Sequence, residues 1–236
     1  MVNLSKNRYA ACIALDIIGS ESSLNQRYNL NTLKYLSEKL NQKFEANLVV
    51  PFQIRLGDEL IGVLDSFSNG YKVFHELWLL IDELEIKIRI GLGFGKFDTL
   101  ETTDVNEING SCVISAFRAR DKFLKEMKIP YSHTELIQFY AYSNQIDIPF
   151  RSVNALVYSM YEELIKTEQQ KKLIVAKLKY PDATYEKIAE KIGYSNRNIK
   201  SGISKALTRG NYDLFVQMKN DLIDLLNTIQ HLLDKD

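Results

Sequence analysis

Apolar residues recur along the chain at two spacings, one of three to four residues and one of two residues, which are typical of helices and strands. The segment from Arg8 to Ile18 is short and mostly apolar and ends at Gly19 and Ser20, which predicts a buried strand. A helix follows, and then an extended segment that opens near Pro51 and turns back as a β-hairpin. Four apolar residues at helical spacing indicate the first helix: Leu33, Leu36, Leu40 and Phe44.

The hairpin is followed by a second helix, with Ser68 as its predicted N-cap, and by the most regular strand in the chain. In this strand every second residue is apolar, and the residues between them are two cations and three glycines. A face made of glycines predicts that another segment packs very close to it. The apolar residues are Ile86, Ile88, Ile90, Leu92 and Phe94, and those between them are Lys87, Arg89, Gly91, Gly93 and Gly95.

The order of these elements predicts an α+β fold. A third helix from Cys112 to Met127 and a strand from Ile137 to Tyr142 complete the order βαββαβ followed by αβ. This is a ferredoxin-like arrangement with one helix and one strand added. From Pro149 onward only helical spacing is present, so we predict a mixed domain over residues 1–147 and an all-α domain over residues 148–236.

Charge is distributed unevenly along the chain. The whole sequence contains 30 basic and 30 acidic residues, but the segment from Thr167 to Gly210 contains ten basic and four acidic residues, a net charge of +6. The rest of the chain therefore carries −6. This asymmetry predicts two domains with different partners.

Composition excludes several classes of protein. With 45% hydrophobic and 25% charged residues, the chain fits neither a disordered protein nor a membrane protein, and no apolar stretch approaches the ~20 residues that span a bilayer. Cys12 and Cys112 form no CxxC pair, and the three histidines have no zinc-binding spacing. We therefore expect a cytoplasmic protein, in a reducing compartment, without a membrane partner.

Three acidic residues are the main candidates for chemistry. Asp16 lies at the end of the first strand, and Asp58 and Glu59 lie at the hairpin tip, which is beside that strand in a βαββαβ sheet. Clustered carboxylates repel one another unless a cation neutralises them. Mg²⁺ is commonly held by one or two carboxylates together with substrate phosphates. The pattern therefore predicts a site for a divalent cation and a phosphate-bearing ligand.

The backbone after Asp16 is the second part of this predicted site. Because it runs into the N-terminus of a helix, its amide groups could hold phosphates. The alternative is that Asp16 caps this helix and that Asp58 and Glu59 only form a turn. If this backbone binds phosphates, the ligand-binding residues are Ile17, Ile18, Gly19 and Ser20, with Gly57 from the hairpin turn.

Four blocks of sequence resemble a known family: Ala14–Ser20, Leu56–Gly62, Arg89–Gly95 and the stretch from Asn109 to Arg120. Together with the C-terminal part they resemble the SatD family of bacterial proteins over nearly the whole chain. That family in turn resembles the palm-like domains of class III nucleotide cyclases and GGDEF diguanylate cyclases. Leu56 stands where the diguanylate cyclase signature has its first glycine, which argues against guanine binding and dinucleotide synthesis.

In the cyclases, a first-strand aspartate and acids at the hairpin tip hold two metal ions on a nucleoside triphosphate. The resemblance implies that Asp16 and Asp58 bind Mg²⁺ or Mn²⁺, and that Glu59 is a further ligand or activates the attacking hydroxyl. Arg118 and Arg120 are candidates for an arginine that stabilises the transition state. The alternative for both is that they are solvent-facing charges on a helix.

Residues Ala183 to Leu207 have the spacing of a helix-turn-helix. Thr184 is predicted to cap the first helix, Gly193 to adopt a positive φ in the turn, and Ser195 to cap the second helix. The second helix is basic and resembles the sigma-factor-like type of the SatD family, which favours DNA as partner over a three-helix interaction module. The predicted DNA-contacting residues are Asn196, Arg197, Lys200, Ser201, Lys205 and Arg209.

An apolar stripe from Leu222 to Leu233 predicts a long final helix. This helix either folds back on the chain or pairs with a second subunit in a homodimer, as half-site recognition of DNA would need. Our hypothesis is a DNA-binding regulator whose cyclase-like domain binds a nucleotide and a divalent metal. The alternative is a metal-dependent cyclase or nucleotidyltransferase that uses the helix-turn-helix for recruitment or dimerisation.

Overall fold

The chain forms two compact units in the computed structural model. The first, called here the sheet unit, comprises Met1–Ala155 together with Ile223–Asp236, and the second, called the helical unit, comprises Leu156–Leu222. The structure describes residues 8–19, 26–84, 86–99, 102–129, 136–147, 150–163, 167–195 and 198–235.

The sheet unit has a mixed α+β architecture, as predicted. Its helix α3 continues as a π-helical segment over Arg118–Glu126. The elements are β1 (Arg8–Ile17), α1 (Gln26–Phe44), β2 (Leu48–Arg55), β3 (Glu59–Leu64), α2 (Phe67–Leu84), β4 (Ile88–Phe97), α3 (Ser111–Phe117) and β5 (Ile137–Tyr142).

The five strands form one sheet in the order β2-β3-β1-β4-β5. The central strand β1 is antiparallel to both β3 and β4, and β4 is parallel to β5. Successive side chains of β1 point to opposite faces of the sheet. Cys12 belongs to the buried cluster that contains Cys112 and Ala116 of α3, whereas Ala11 lies against Gly70 of α2. Helices α3 and α2 therefore cover opposite faces.

The glycine face of β4 is covered by helix α3, which confirms that another segment packs close to it. A Cβ atom on Gly93 would lie 2.0 Å from the carbonyl oxygen of Cys112 and 2.2 Å from the amide nitrogen of Ala116. A Cβ atom on Gly91 would lie 2.1 Å from the carbonyl oxygen of Ala116. The helix backbone therefore rests directly on the strand, which is possible only because these strand residues have no side chain.

Both cysteines are free and buried between this helix and the sheet. Burial raises the pKa of the Cys112 thiol from its ordinary value of 9.0 to about 12, and it raises the pKa of Cys12 as well. In the folded state Cys112 therefore stays protonated at pH values where the unfolded chain has already lost that proton.

We expect the free energy of unfolding to fall as the pH rises from about 9 to about 12, because only the unfolded chain releases the Cys112 proton there. The contribution of this thiol is complete below pH 9 and is lost at about 1.4 kcal/mol per pH unit through that interval. Urea denaturation at several pH values, in reducing buffer, measures this slope. The matched variant Cys112→Ala shares all the tyrosine and lysine titrations, so an identical slope in the variant would contradict the expectation.

The helical unit is built from short helices. Helix α4 (Phe150–Tyr158) begins in the sheet unit and continues as a π-helical turn over Ser159–Glu163. Helices α5 (Glu168–Lys179), α6 (Tyr185–Ile192) and α7 (Ile199–Arg209) follow, and then α8 (Tyr212–Leu233).

Capping residues set the ends of α6 and α7. The hydroxyl of Thr184 accepts a hydrogen bond from the Lys187 amide at the start of α6, and Gly193 ends this helix with φ +65°, both as predicted. The prediction that Ser195 caps α7 is wrong, because the helix begins later. Its N-cap is Asn198, whose Oδ1 accepts from the Ser201 amide at 3.2 Å.

The last part of α8 folds back on the sheet unit. The Gln230 side chain is 8% exposed, and its Oε1 accepts a hydrogen bond from the Phe67 amide at 2.7 Å. Its Nε2 donates to the carbonyl oxygens of Tyr9 and Asp65, each at 3.2 Å. One side chain thus forms hydrogen bonds with three backbone groups at the start of β1 and α2. Among the described helices, none is both long and apolar enough to cross a membrane.

Candidate functional site

Two of the three predicted acidic residues, Asp16 and Glu59, lie in a row of side chains that crosses the whole sheet. Strand register places Asp16 opposite Glu59 on one side and opposite Arg89 on the other. The same register continues from Glu59 to Arg55 on β2 and from Arg89 to Gln138 on β5. Ala14 and Ile61, two positions from Asp16 and Glu59, belong to the buried cluster that contains Cys112 and Ala116 of α3. Gly91, two positions from Arg89, also packs against this helix. The row therefore lies on that face as well. We call these five residues the cross-strand row.

Two partly buried carboxylates lie side by side at the centre of the cross-strand row. The side chains of Asp16 and Glu59 are only 14% and 16% exposed. Nη1 of Arg89 donates to Asp16 Oδ2 at 3.0 Å, and Nε of Arg89 donates to Gln138 Oε1 at 3.0 Å. On the other side, Nη1 of Arg55 lies 3.7 Å from Glu59 Oε2. An arginine therefore flanks each carboxylate within the sheet.

A third arginine reaches the row from above the sheet. Arg120 lies in the π-helical continuation of α3 and is 4% exposed. Its Nη2 donates to Glu59 Oε1 at 2.7 Å, and its Nε donates to Asp121 Oδ1 at 2.8 Å. The guanidinium carbons of Arg55 and Arg120 lie 5.2 and 5.0 Å from the centre of the Phe117 ring. Segments of π-helix are rare and occur frequently at functional sites.

The positive charges around Asp16 do not fully offset the cost of burying its ionised carboxylate. Burial raises the pKa of Asp16, and this effect outweighs the opposing charges of Arg89, Arg120 and Lys125. Burial acts to lower the pKa of Arg120, but the hydrogen bond and charge of Asp121 and the charges of Glu59 and Asp16 more than offset it, so that pKa is raised. An added positive charge near Asp16 would therefore be favourable.

Some polar atoms of the row and of Arg120 lack a hydrogen-bond partner in the described part of the chain. Nη1 of Arg120, Nε of Arg55 and Oε2 of Glu59 are buried and make no hydrogen bond there. A buried donor or acceptor without a partner costs about 1–3 kcal/mol, and more when the group is charged. Two unsatisfied donors of arginine side chains thus lie beside the pair of carboxylates.

The hairpin turn carries the remaining predicted residues of this site. Asp58 is partly buried and directly precedes Glu59, and Gly57 has φ +90°. Leu56 has φ +53°, in the left-handed region that favours glycine, and is 81% exposed. The position where the diguanylate cyclase signature has glycine therefore keeps a backbone conformation suited to glycine although leucine occupies it.

The remaining predicted residues of this site are the segment that follows Asp16 and the second predicted arginine, Arg118. Ile17 is the last residue of β1, and the Ile18 amide donates to the Lys87 carbonyl at 2.8 Å. Gly19 is exposed with φ +80°. Ser20 lies outside the described residues. Arg118 is exposed, so of the two predicted arginines only Arg120 contacts the row in the described structure.

The predicted DNA-contacting residues of α7 do not share one face. At about 100° per residue, Lys205 and Arg209 are rotated by about 140° and 180° from Lys200. Lys200 is 76% exposed and its Nζ lies 3.6 Å from Glu186 Oε1 of α6. Ser201 lies in the first turn of α7. Asn196 and Arg197 fall outside the residues that the structure describes.

Sequence reasoning missed the arginines of the sheet. Arg55 and Gln138 had no distinguishing signal, because their roles depend on strand register. Arg89 did have one, since it is the large side chain that directly precedes the three glycines on that face. Within the described ranges, no three side chains of His, Cys, Asp or Glu lie close enough together to hold a metal ion.

A family model described as the SatD family matches residues 9–226. The chain belongs to the SatD family. The resemblance seen in the sequence blocks is thereby confirmed over nearly the whole length. No curated protein matches this SatD-family chain.

Several solved structures are similar to this SatD-family chain. One is the catalytic core of a rhodopsin-guanylyl cyclase with converted specificity, 16% identical over 55% of this chain and 88% of that chain, with a TM-score of 0.39. Another is the non-canonical dimeric guanylyl cyclase domain of the RhoGC fusion protein from the aquatic fungus Blastocladiella emersonii, 18% identical over 50% and 76%, with a TM-score of 0.39. A third is a bacterial light-regulated adenylyl cyclase, 13% identical over 58% and 77%, with a TM-score of 0.39.

Proposed function

We propose that this chain is a nucleotide-responsive DNA-binding regulator. The sheet unit, which we interpret as a ferredoxin-like, cyclase-like domain, binds a nucleoside triphosphate with Mg²⁺ or Mn²⁺ at the cross-strand row. The helical unit, interpreted as a helix-turn-helix domain, binds duplex DNA, and nucleotide binding changes its affinity. The observation that carries the proposal is the pair of adjacent carboxylates, Asp16 and Glu59, held among three arginines.

Adjacent carboxylates favour a cation as ligand. Like charges directly opposite each other on neighbouring strands destabilise a sheet, and burial adds to the cost at Asp16. Mg²⁺ needs only one or two carboxylates when phosphate oxygens complete its shell, so the pair Asp16 and Glu59 fits this role without a third acid. A cation bound there would neutralise charge on the phosphates.

The arginines favour phosphate as the second component of the ligand. A guanidinium presents its donors in a planar fork that matches phosphate oxygens. Arg120 and Arg55 each have a buried N–H without a partner among the described residues. Arg89 donates to Asp16, and it could donate to a phosphate oxygen once another positive charge satisfies that carboxylate. The row thus contains groups for both the cation and the anion of a metal–nucleotide complex.

DNA is proposed as the partner of the helical unit on the basis of charge and helix arrangement. The segment from Thr167 to Gly210 carries a net charge of +6. Two capped helices, α6 and α7, are joined by a turn in which Gly193 has a positive φ. Contacts to the phosphates of DNA would supply a part of the affinity that does not depend on the DNA sequence. This part weakens as the salt concentration rises.

We expect Mn²⁺ with a nucleoside triphosphate to bind the wild-type chain, and Asp16→Asn to weaken this binding at least tenfold. The isosteric amide removes the negative charge that the cation needs, while its size is unchanged. Isothermal titration calorimetry with each of the four ribonucleoside triphosphates measures the affinity. The matched control is Glu107→Gln, an exposed carboxylate outside the row.

Equal affinities of wild type and Asp16→Asn, or no binding by either, would contradict the nucleotide site. Pyrophosphate release by the wild type that is lost in Asp58→Asn would support the alternative function, a cyclase or nucleotidyltransferase.

The proposed regulation of DNA binding is tested by a second measurement. It compares the affinity of the full chain for duplex DNA, over a salt series, with and without Mn²⁺ and nucleotide. The proposal requires the two affinities to differ.

A further inference from the structure

An open groove of about 300 Å³ lies within the helical unit, between the N-terminal turn of α5 and one face of α7. Thr167 and Gln170 line it from α5, and Tyr194 lines it from the turn before α7. From α7, Gly202, Lys205 and Arg209 line it, and their spacing of three to four residues puts them on the same helix face. This is not the face that carries Lys200.

The groove is positively charged. Two cations, Lys205 and Arg209, are among its lining residues, and no acidic side chain is. In the described part of the chain neither of these cations forms an ion pair, whereas Lys200 pairs with Glu186. Helix α5 also begins here, with Thr167 as its N-cap, and the first amides of a helix attract anions. All of these features favour a negatively charged occupant.

One buried polar atom indicates that the occupant forms hydrogen bonds. Oε1 of Gln170 is buried and has no partner among the described residues, while the Gln170 backbone amide already donates to the Thr167 hydroxyl at 3.2 Å. The side-chain amide can accept from a hydroxyl of the ligand, or turn and donate its NH₂ to a ligand oxygen. Either arrangement satisfies a group that otherwise costs about 1–3 kcal/mol.

We infer that this groove binds a phosphate group, held by Lys205 and Arg209 together with the side chain of Gln170. The guanidinium of Arg209 supplies a fork for two phosphate oxygens, and the ammonium of Lys205 supplies a point charge. The phosphate belongs either to a small phosphate-bearing molecule or to the backbone of duplex DNA. The first source is independent of the proposed function, and the second rests on it.

Two arms of one experiment test the groove and distinguish these sources. The first arm titrates the full chain with inorganic phosphate in EDTA, so that no metal is present, and follows binding by calorimetry. The second arm measures affinity for a 20-base-pair duplex over a salt series. Each arm uses wild type, Lys205→Gln, Arg209→Gln and the matched control Lys172→Gln, an exposed lysine of α5 that does not line the groove, after circular dichroism has shown that all four are folded.

Binding of inorganic phosphate that falls at least tenfold in Lys205→Gln and Arg209→Gln, but not in Lys172→Gln, supports a site for a small phosphate-bearing molecule. If only duplex affinity falls in the two groove variants, with a salt slope smaller by about one, the backbone of DNA is the source. Groove variants that match Lys172→Gln in both arms overturn the inference. None of these results changes the outcome of the nucleotide titration with Asp16→Asn. Failure of the groove inference can therefore be distinguished from failure of the proposed nucleotide site.

Discussion

Gly93→Ala is expected to destabilise the sheet unit by at least about 3 kcal/mol, or to prevent its folding. The added Cβ atom would lie 2.0 Å from the carbonyl oxygen of Cys112 and 2.2 Å from the amide nitrogen of Ala116. Both atoms belong to the backbone of α3, so no side-chain rotation relieves the contact and the whole helix must move. Overpacking a core usually costs about 1–3 kcal/mol, and displacement of a helix lies at the upper end of that range or beyond it.

Urea denaturation followed by the fluorescence of Trp78 measures this effect, because the chain has a single tryptophan and it is buried in α2 of the sheet unit. The matched control is Gly57→Ala, where a Cβ atom would find no neighbour within 4 Å and only the φ of +90° is unfavourable. We expect that control to cost about 1 kcal/mol. A Gly93→Ala variant as stable as the control would contradict the close packing of α3 on β4.

Arg120→Met is expected to destabilise the sheet unit by about 3 kcal/mol or more. Methionine fills most of the same volume but leaves the Glu59 carboxylate, 16% exposed, without the guanidinium that donates to it at 2.7 Å. Removing one partner of a buried ion pair leaves an uncompensated charge, and this is costlier than removing both. The same denaturation experiment measures the loss.

A double-mutant cycle separates the charge effect from lost packing. In Glu59→Gln with Arg120→Met the uncompensated carboxylate is gone, so we expect the double variant to be more stable than Arg120→Met alone by at least about 1 kcal/mol. Additive effects of the two substitutions would show that Glu59 and Arg120 do not interact energetically. In that case the hydrogen bond between them would carry none of the stability of the row.

The mixed α+β class of the sheet unit could be predicted because its strands and helices have strong periodic patterns. The glycine alternation of β4 even predicted a closely packed neighbour, and the caps Thr184 and Gly193 were found from local rules. Ser195 failed as a cap because Asn198 serves equally well, and local rules do not decide between two capping residues three positions apart.

The candidate site could be predicted only in part. Asp16 and Glu59 were found because one lies at the end of the first strand and the other near the tip of the hairpin expected beside it, but the arginine partners within the sheet depend on register. Arg55 meets Glu59 only because β2 and β3 pair at the hairpin in one register, and Arg120 meets it because α3 continues as π-helix. A shift of one residue in the pairing of these strands would turn the side chain to the other face of the sheet.

The last part of α8 belongs to the sheet unit, and this affects when that unit can be completed during synthesis. The ribosome completes β1 to β5 and then the entire helical unit before it adds Gln230, whose side chain bonds to backbone groups of Tyr9, Asp65 and Phe67. Until then, these three hydrogen bonds at the beginning of β1 and of α2 cannot form. The sheet unit therefore becomes complete only after the whole helical unit has been synthesised.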